Sequence, residues 1–410
     1  MKKLTRRSIL AAAPGALALT VPMLSPRRAS AKEYGPGVTD TEIKIGNTNP
    51  YSGPASSYGT LGKVEHAYYA MLNDKGGING RKVNHISYDD AYTPPKTVEM
   101  ARKLVEQDNV LLIASPLGTP CNSAIWHYMN QKKVPQLFVA TGATKWNDPK
   151  GHPWTIGWQP NYQSEGRIYA TYVLQHAPKG KIGILYQNDD FGKDYLKGLK
   201  DGLGDKASMV QVEASYETTD PTVDSQVVDM KAKGLDVFVN CAIPKFAAQA
   251  IRKAAEIQWK PLHVLSSIGS SVAATLKPAG LENAKDIVSD FYLKDPNDPQ
   301  WKDDAGYKEW AAFMDKYYPE GDKADGGNVA GYCLAMACAH VLTACGDTVT
   351  RENVMKQAAN IKDLSLPMLL PGIKANTTAT DWAPLKQVQM AKFDGARWQL
   401  FGPLITGAVT

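Results

Sequence analysis

The sequence predicts an α/β protein of two lobes, each built on its own parallel sheet. Three observations carry this. The chain is 410 residues long, with 43% apolar and 21% charged residues, enough apolar material for two cores. A short apolar strand followed by a polar loop and an amphipathic helix recurs along it. An aperiodic stretch at 154–162, rich in Trp, Gly and Pro, separates two such series.

The first series starts at 43–49, IKIGNTN, a short buried strand that ends in the loop PYSGPASSYG at 50–59. An open α/β sheet holds its ligand at this edge, beyond the carboxyl ends of its strands. Residues 61–73 form a helix, since Val64, Ala67, Tyr68, Met71 and Leu72 share one face and Gly76-Gly77 stops it. A strand at 82–88 ends at Asp89-Asp90, a helix spans 95–107, and Val110-Leu111-Leu112-Ile113-Ala114 is apolar throughout, as a central parallel strand should be. The loop 115–122, a helix reaching Met129, a strand at 136–140 and the loop Thr141-Gly142-Ala143-Thr144 complete the first half.

The second series runs helix 164–176, strand 181–186, helix 192–202, strand 209–215, helix 223–232, strand 236–240, helix 246–256 and strand 262–266. After a strand at 287–291 come helices at 303–318, 326–344 and 351–361. Strands 387–393 and 398–401 then flank the turn Asp394-Gly395-Ala396-Arg397 as a hairpin.

The formal charge of +5 is a property of the N-terminus. Residues 1–31 carry Lys2, Lys3, Arg6, Arg7, Arg27 and Arg28 and no acid, so of 46 basic residues 40 remain against 41 acidic ones, a net of −1. No nucleic-acid partner is implied. The basic start, the apolar run 9–24 interrupted by Pro14, and Ala29-Ser30-Ala31 read as an export signal cleaved after residue 31. Thr5-Arg6-Arg7-Ser8-Ile9-Leu10 also resembles the twin-arginine export motif. No later segment reads as long and apolar enough to cross a bilayer, so a soluble mature protein is expected.

Cys121, Cys241, Cys333, Cys338 and Cys345 are too few for a disulfide scaffold. Cys333 and Cys338 sit in an Ala-rich run and read as small core residues, with a Cys338–Cys345 bridge left open. The seven His are scattered without metal-ligand spacing, so neither metal nor cofactor is expected. Nor is an enzyme: there is no GxGxxG after a strand, no phosphate-binding GxxxxGK[ST] and no GxSxG elbow. Asp89-Asp90 and Asp189-Asp190 end strands, where turn and capping chemistry favours Asp.

The stretches NPYSGPASSYG, MLNDKGGINGRKV, YDDAYTPPKTVEMARKLV, VPQLFVATGAT and ILYQNDDFGKDYLKGLKDGL occur in register. Together they resemble the leucine/isoleucine/valine-binding family, the type I periplasmic solute-binding proteins of ABC importers. The likeness runs from about Val38 to Phe401. It implies two Rossmann-like lobes, 32–158 with 290–364 and 159–289 with 365–410. Three hinge crossovers near 158–161, 290–294 and 364–367 would join them. It further implies a periplasmic monomer that closes on a small ligand and is read by the permease of an ABC importer. A sensing module of the same fold, acting in signalling, is the alternative.

The resemblance also implies site residues. Tyr58 matches the tyrosine that packs on the ligand side chain, and Thr119 the hydroxyl that bonds the ligand carboxylate, as a helix N-terminus suits an anion. Ala143 and Thr144 match the second carboxylate-facing loop. Phe191 stands where the family has Tyr, and Cys241 or Ala242 where it has another aromatic. Gly269 and Ser270 occupy the loop in which amino-acid-binding members place an acid for the ligand ammonium. No Asp or Glu occurs between Glu256 and Glu282. A buried ammonium without a counter-charge costs several kcal/mol, on the order given by ion desolvation. The expected ligand is therefore a small carboxylate: a branched-chain or hydrophobic amino acid or, more economically, an aromatic or other acid lacking the amine. Tyr51, Trp146 and Trp158 are expected to add aromatic surface near the cleft. The family's lobe-one disulfide is lost, its positions being Tyr92 and Gly118.

Overall fold

The structure is a computed structural model that describes residues 32–407; the export signal read at 1–31 lies outside the described residues. Strand Glu42–Asn49 sits inside a five-stranded, all-parallel sheet. Its order is Lys82–Asp89, Glu42–Asn49, Leu112–Ala114, Gln136–Val139, Thr155–Gly157. The second sheet runs Val210–Tyr216, Ile182–Gln187, Val237–Cys241, Leu262–Leu265, Val288–Phe291, all parallel. The hairpin Gln387–Phe393 and Trp398–Thr406 extends it antiparallel, which a hairpin connection requires. Numbered within each lobe, both parallel runs have the order 2-1-3-4-5.

Helices cover both sheets at close range. Gly326–Ala344 lies on Gly59–Asp74, and a Cβ at Gly331 would stand 2.4 Å from Val64 Cγ1, so the crossing depends on a bare Cα there. In the second lobe Tyr162–His176 meets Asp190–Leu203 in the same way, with Gly198 against the Gln163 carbonyl. The strands inside the first sheet are buried without a break from Val110 to Ala114.

The chain passes between the sheets three times, after Thr155–Gly157, after Val288–Phe291 and before Gln387–Phe393. The second and third passages are tied together: Leu370 N donates to the Tyr292 carbonyl and Lys294 N to the Met368 carbonyl, each at 2.9 Å. Beyond that tie the chain turns back to the first lobe. Leu364 bridges Ala375, Thr377 Oγ1 donates to the Ala358 carbonyl, and Trp382 N donates to Asn147 Oδ1. Of the stretch 365–410, the hairpin is the part that adds to the second sheet.

Several elements differ from the sequence reading. The aperiodic stretch 154–162 contains the edge strand Thr155–Gly157, too short to display a period. Helix 95–107 is α-helical over Pro94–Arg102 and widens to a π turn at Lys103–Gln107. Residues 267–284, given no element, form the short turns Ser267–Gly269, Val272–Leu276, Lys277–Ala279 and Leu281–Ala284. Helix Gly326–Ala344 is, at 19 residues, long and apolar enough to cross a bilayer, contrary to expectation; two thirds of it is buried within the protein, as a core helix should be. All five cysteines are buried and free, so the Cys338–Cys345 bridge is absent. No group of His, Cys, Asp or Glu among the described residues is arranged to hold a metal.

Two buried histidines make the fold acid-sensitive. His85, beside Glu65 at 3.9 Å, and His263, packed on Phe238 at 4.5 Å, are both held down to about 3 by burial. Burial also pushes Glu65 well above the usual carboxylate range, so it opposes charge on both members of the pair. The unfolded chain binds the proton near pH 6.5 and the folded one does not, so stability present above that pH is lost as pH falls. His263→Gln should remove about 1.4 kcal/mol per pH unit of that loss between pH 6 and 4, read from urea titrations of both proteins. Equal slopes would mean that His263 is protonated in the folded state.

Candidate functional site

In a sheet of order 2-1-3-4-5 the loops after strands 1 and 3 leave in opposite directions and open a crevice. In the first lobe this point lies between Glu42–Asn49 and Leu112–Ala114, in the second between Ile182–Gln187 and Val237–Cys241. The loops from both points line one cavity of about 150 Å³, through Ser57, Tyr58, Gly118 and Thr119 on one side and Phe191, Ile243 and Pro244 on the other.

Hydrogen bonds cross between the lobes around it. Tyr58 OH donates to the Ile268 carbonyl at 3.0 Å, Ser271 Oγ to Asp325 Oδ1 at 3.0 Å, and Gln187 Nε2 to Tyr92 OH at 3.4 Å. Thr144 N donates to Asp194 Oδ2 at 2.7 Å, and Lys145 pairs with Asp190 at 2.8 Å. The lobes are closed on each other.

Two helix N-termini end in the cavity wall, and neither carries a capping side chain. Helix Thr119–Gln131 follows Gly118, and helix Pro244–Glu256 follows Ile243. Pro120 and Pro244 remove one N–H from each first turn, and the helix dipoles with the remaining N–H groups, such as those of Thr119 and Lys245, present positive potential. Asp190–Leu203 and Gly326–Ala344, by contrast, are capped by Asp189 and Asp325. Thr119 Oγ1 and Thr141 Oγ1 share a hydrogen bond at 2.5 Å. The one lysine in the wall, Lys294, is committed to Asp304 at 2.5 Å and to the Pro367 carbonyl at 2.7 Å.

A carboxyl cluster reaches the wall through Ser267 and Asp290. Glu165 accepts from Tyr195 OH and, at 3.1 Å, from Ser267 Oγ, while Tyr169 OH donates to Asp290 Oδ1. Burial pushes both carboxyls up, and each disfavours charge on the other. Asp290 Oδ2 is buried without a hydrogen-bond partner.

The residues singled out from the sequence are placed as follows. Tyr58, Thr119, Phe191 and Ser270 line the cavity, although Ser270 Oγ is bonded to the Ser267 carbonyl and its own carbonyl accepts from Trp398 Nε1. Ala143 and Thr144 do not line it. They face a separate recess of about 20 Å³ near Trp382, and their loop reaches the main cavity through Ala140 and Thr141. Cys241 is buried inside its strand, and the wall begins two residues later at Ile243. Gly269 packs inward on Leu265 and the Ala242 carbonyl. Tyr51 is absent from the wall and bonds Ser87; so are Trp158, which packs on Phe138, and Trp146, on Trp126.

Sequence reasoning passed over Thr141, Tyr162, Ser267, Tyr292 and Asp325 as wall residues. Tyr92, expected only as the replacement for a half-cystine, is a wall residue too. Its ring now lies against Gly118: with φ at +94°, a Cβ on Gly118 would stand 2.5 Å from Tyr92 Cε2.

Fold and cleft define a two-lobed α/β protein of the binding type, its cavity shared between two facing sheet edges. The chain belongs to the periplasmic binding protein family, whose model matches residues 42–396. It is 25% identical over 170 residues to the leucine-specific-binding protein of Salmonella typhimurium, covering 41% of this chain and 45% of that protein. To the Leu/Ile/Val-binding protein of Escherichia coli K12 it is 26% identical over 166 residues, covering 40% and 44%. These matches thus span less than half the length of either relative. Among solved structures, a branched-chain amino acid ABC transporter protein of Thermus thermophilus with bound valine superposes with TM-score 0.80 at 14% identity, covering 90% of this chain and 98% of that one. A fatty acid ABC transporter substrate-binding protein of Thermomonospora curvata gives 0.75 at 23%, covering 92% and 95%. At such identities these two show the fold.

Gly118→Ala should destabilise the protein by roughly 1–3 kcal/mol, since both the positive φ and the Tyr92 contact oppose a methyl group. Thermal melting checks this, and an unchanged melting temperature would show that Tyr92 can leave Gly118 freely.

Proposed function

We propose that this chain is the exported, periplasmic substrate-binding protein of an ABC importer. It captures a small carboxylate ligand between its two lobes, the second completed by the hairpin Gln387–Phe393 and Trp398–Thr406, and hands it to membrane permease subunits. The observation that carries the reading is the pair of uncapped helix N-termini, Thr119–Gln131 and Pro244–Glu256, meeting in one cavity from opposite lobes. An anion there is received by amides, dipoles and the Thr119 hydroxyl, with no lysine or arginine needed. The names of the relatives and the family match support the transport role over a sensing one.

In this reading Tyr58 and Phe191 clasp the apolar body of the ligand from the two sides, and Ser270 closes one end. Ala143 and Thr144 serve closure, Thr144 through its bond to Asp194. Cys241 and Gly269 shape the wall from behind. The passages near 158–161, 290–294 and 364–367 act as the hinge. Closure strengthens each polar contact by excluding water, and a partner that touches both lobes distinguishes closed from open. No covalent step enters.

Small hydrophobic carboxylates should raise the melting temperature of the purified protein by mass action. Thr119→Val should weaken their binding roughly tenfold or more by removing a hydrogen bond to a charged group. If no carboxylate shifts the melting temperature, the reading fails.

A further inference from the structure

Two buried acceptors in the cavity wall have no donor in the protein, and they stand on different passages between the lobes. Asp290 lies at the end of strand Val288–Phe291, where the second passage begins, and Gln159 lies on the first. Asp290 is fully buried; its Oδ1 accepts from Tyr169 OH, and its Oδ2 has no partner. Gln159 Nε2 donates to Tyr292 OH at 3.5 Å, while its Oε1 is buried and likewise without a partner. Tyr292 is itself in the wall, so this bond ties the two passages together beside the cavity.

The fold does not account for the carboxyl. At a fully buried strand position an apolar side chain would avoid the desolvation that an acid incurs there. Its neighbours are already satisfied: Glu165 accepts from Tyr195 OH on Oε2 and from Ser267 Oγ on Oε1 at 3.1 Å. Tyr169 OH, which donates to Asp290, accepts in turn from Ser267 N at 3.3 Å. Asp290 Oδ2 is left as the open position of that cluster, on a carboxyl held in place by Tyr169.

The chemistry of the two groups selects what can meet them. Burial pushes Asp290 up to about 7, so its acid form is within reach at neutral pH. An ammonium suits only the ionised acid, and a carbonyl only the protonated one. A hydroxyl donates and accepts, so it satisfies Asp290 in either form and the Gln159 amide in either orientation.

We propose that Asp290 and Gln159 form a subsite for a hydroxyl group of the ligand, so that the ligand is a hydroxy acid with its carboxylate at the Thr119 helix and its hydroxyl between the two passages. This rests on the carboxylate reading above and agrees with the expectation of an acid lacking the amine. An acid without the hydroxyl leaves both acceptors buried and unmet once the lobes close, so the subsite discriminates by the cost of unpaired groups.

Calorimetric titration of matched probes tests it: hexanoate against 6-hydroxyhexanoate, 3-phenylpropionate against 3-(4-hydroxyphenyl)propionate, 6-aminohexanoate, and the carboxylate-free 1-hexanol and 4-ethylphenol. In at least one pair the hydroxy acid should bind wild type roughly 10- to 100-fold more tightly than its plain partner. Asp290→Leu, of nearly the same shape, should bring that ratio close to one, whereas Asp290→Asn, which still bonds both Tyr169 and a hydroxyl, should keep it. Gln159→Leu should lower the ratio as well, and it decides the matter if Asp290→Leu does not fold. Equal affinities within both pairs overturn the proposal, as does a ratio that survives Asp290→Leu, or that survives Gln159→Leu where Asp290→Leu does not fold. Tighter binding of 6-aminohexanoate than of 6-hydroxyhexanoate also overturns it, since the subsite would then take a cation. Binding of the plain acids alone keeps the carboxylate reading and removes the hydroxyl one. Alcohols that bind in an Asp290-dependent way, while no acid binds, retain the hydroxyl subsite and remove the carboxylate reading. Binding by none of the probes overturns both.

Discussion

All parallel strands of a sheet release their loops at one edge, and this constraint organises the protein. With the order 2-1-3-4-5 in both lobes, each edge has one place where neighbouring loops diverge and helix N-termini approach. The two places face each other, so the cavity collects dipoles from both lobes. Tyr58, Thr119, Phe191 and Pro244 reach it because each begins or precedes a helix just after a strand.

The polar groups near the cavity divide by how they are satisfied. Thr119 with Thr141, and Glu165 with Tyr195 and Ser267, are bonded within one lobe and fix its shape. Tyr58 with Ile268, and Ser271 with Asp325, exist only while the lobes touch. The second kind is exposed to water whenever the cleft opens, so each contributes little net free energy to closure. The balance between open and closed forms is consequently sensitive to whatever fills the cavity.

Much of the fold was legible because its signals are local. The apolar run at Val110–Ala114, the one-faced helix that includes Val64 and Met71, and the turn at Asp394 each declare themselves within a few residues. Thr155–Gly157 did not, since three residues carry no period. The site divides in the same way. Tyr58, Thr119 and Phe191 stand in recognisable strand-to-helix loops, whereas Ala143 and Thr144 sit two and three residues beyond Thr141, where their loop leaves the wall. Asp325 looks in sequence like an ordinary N-cap; its bond across the cleft is to Ser271, 54 residues away and in the other lobe. Residue spacing cannot show a pairing that depends on how two lobes meet.

The five buried thiols settle how the chain relates to oxidants. Cys333, Cys338 and Cys345 are pushed up to about 12 by burial, and Cys121 and Cys241 rise as well. The thiolate is the reactive form, so none of these is poised for disulfide exchange, glutathione capture or sulfenic acid formation. With the half-cystine positions filled by Tyr92 and Gly118, the native state contains no bond that a reductant breaks or an isomerase must sort. The polypeptide can reach its final form equally in a reducing compartment and in an oxidising one.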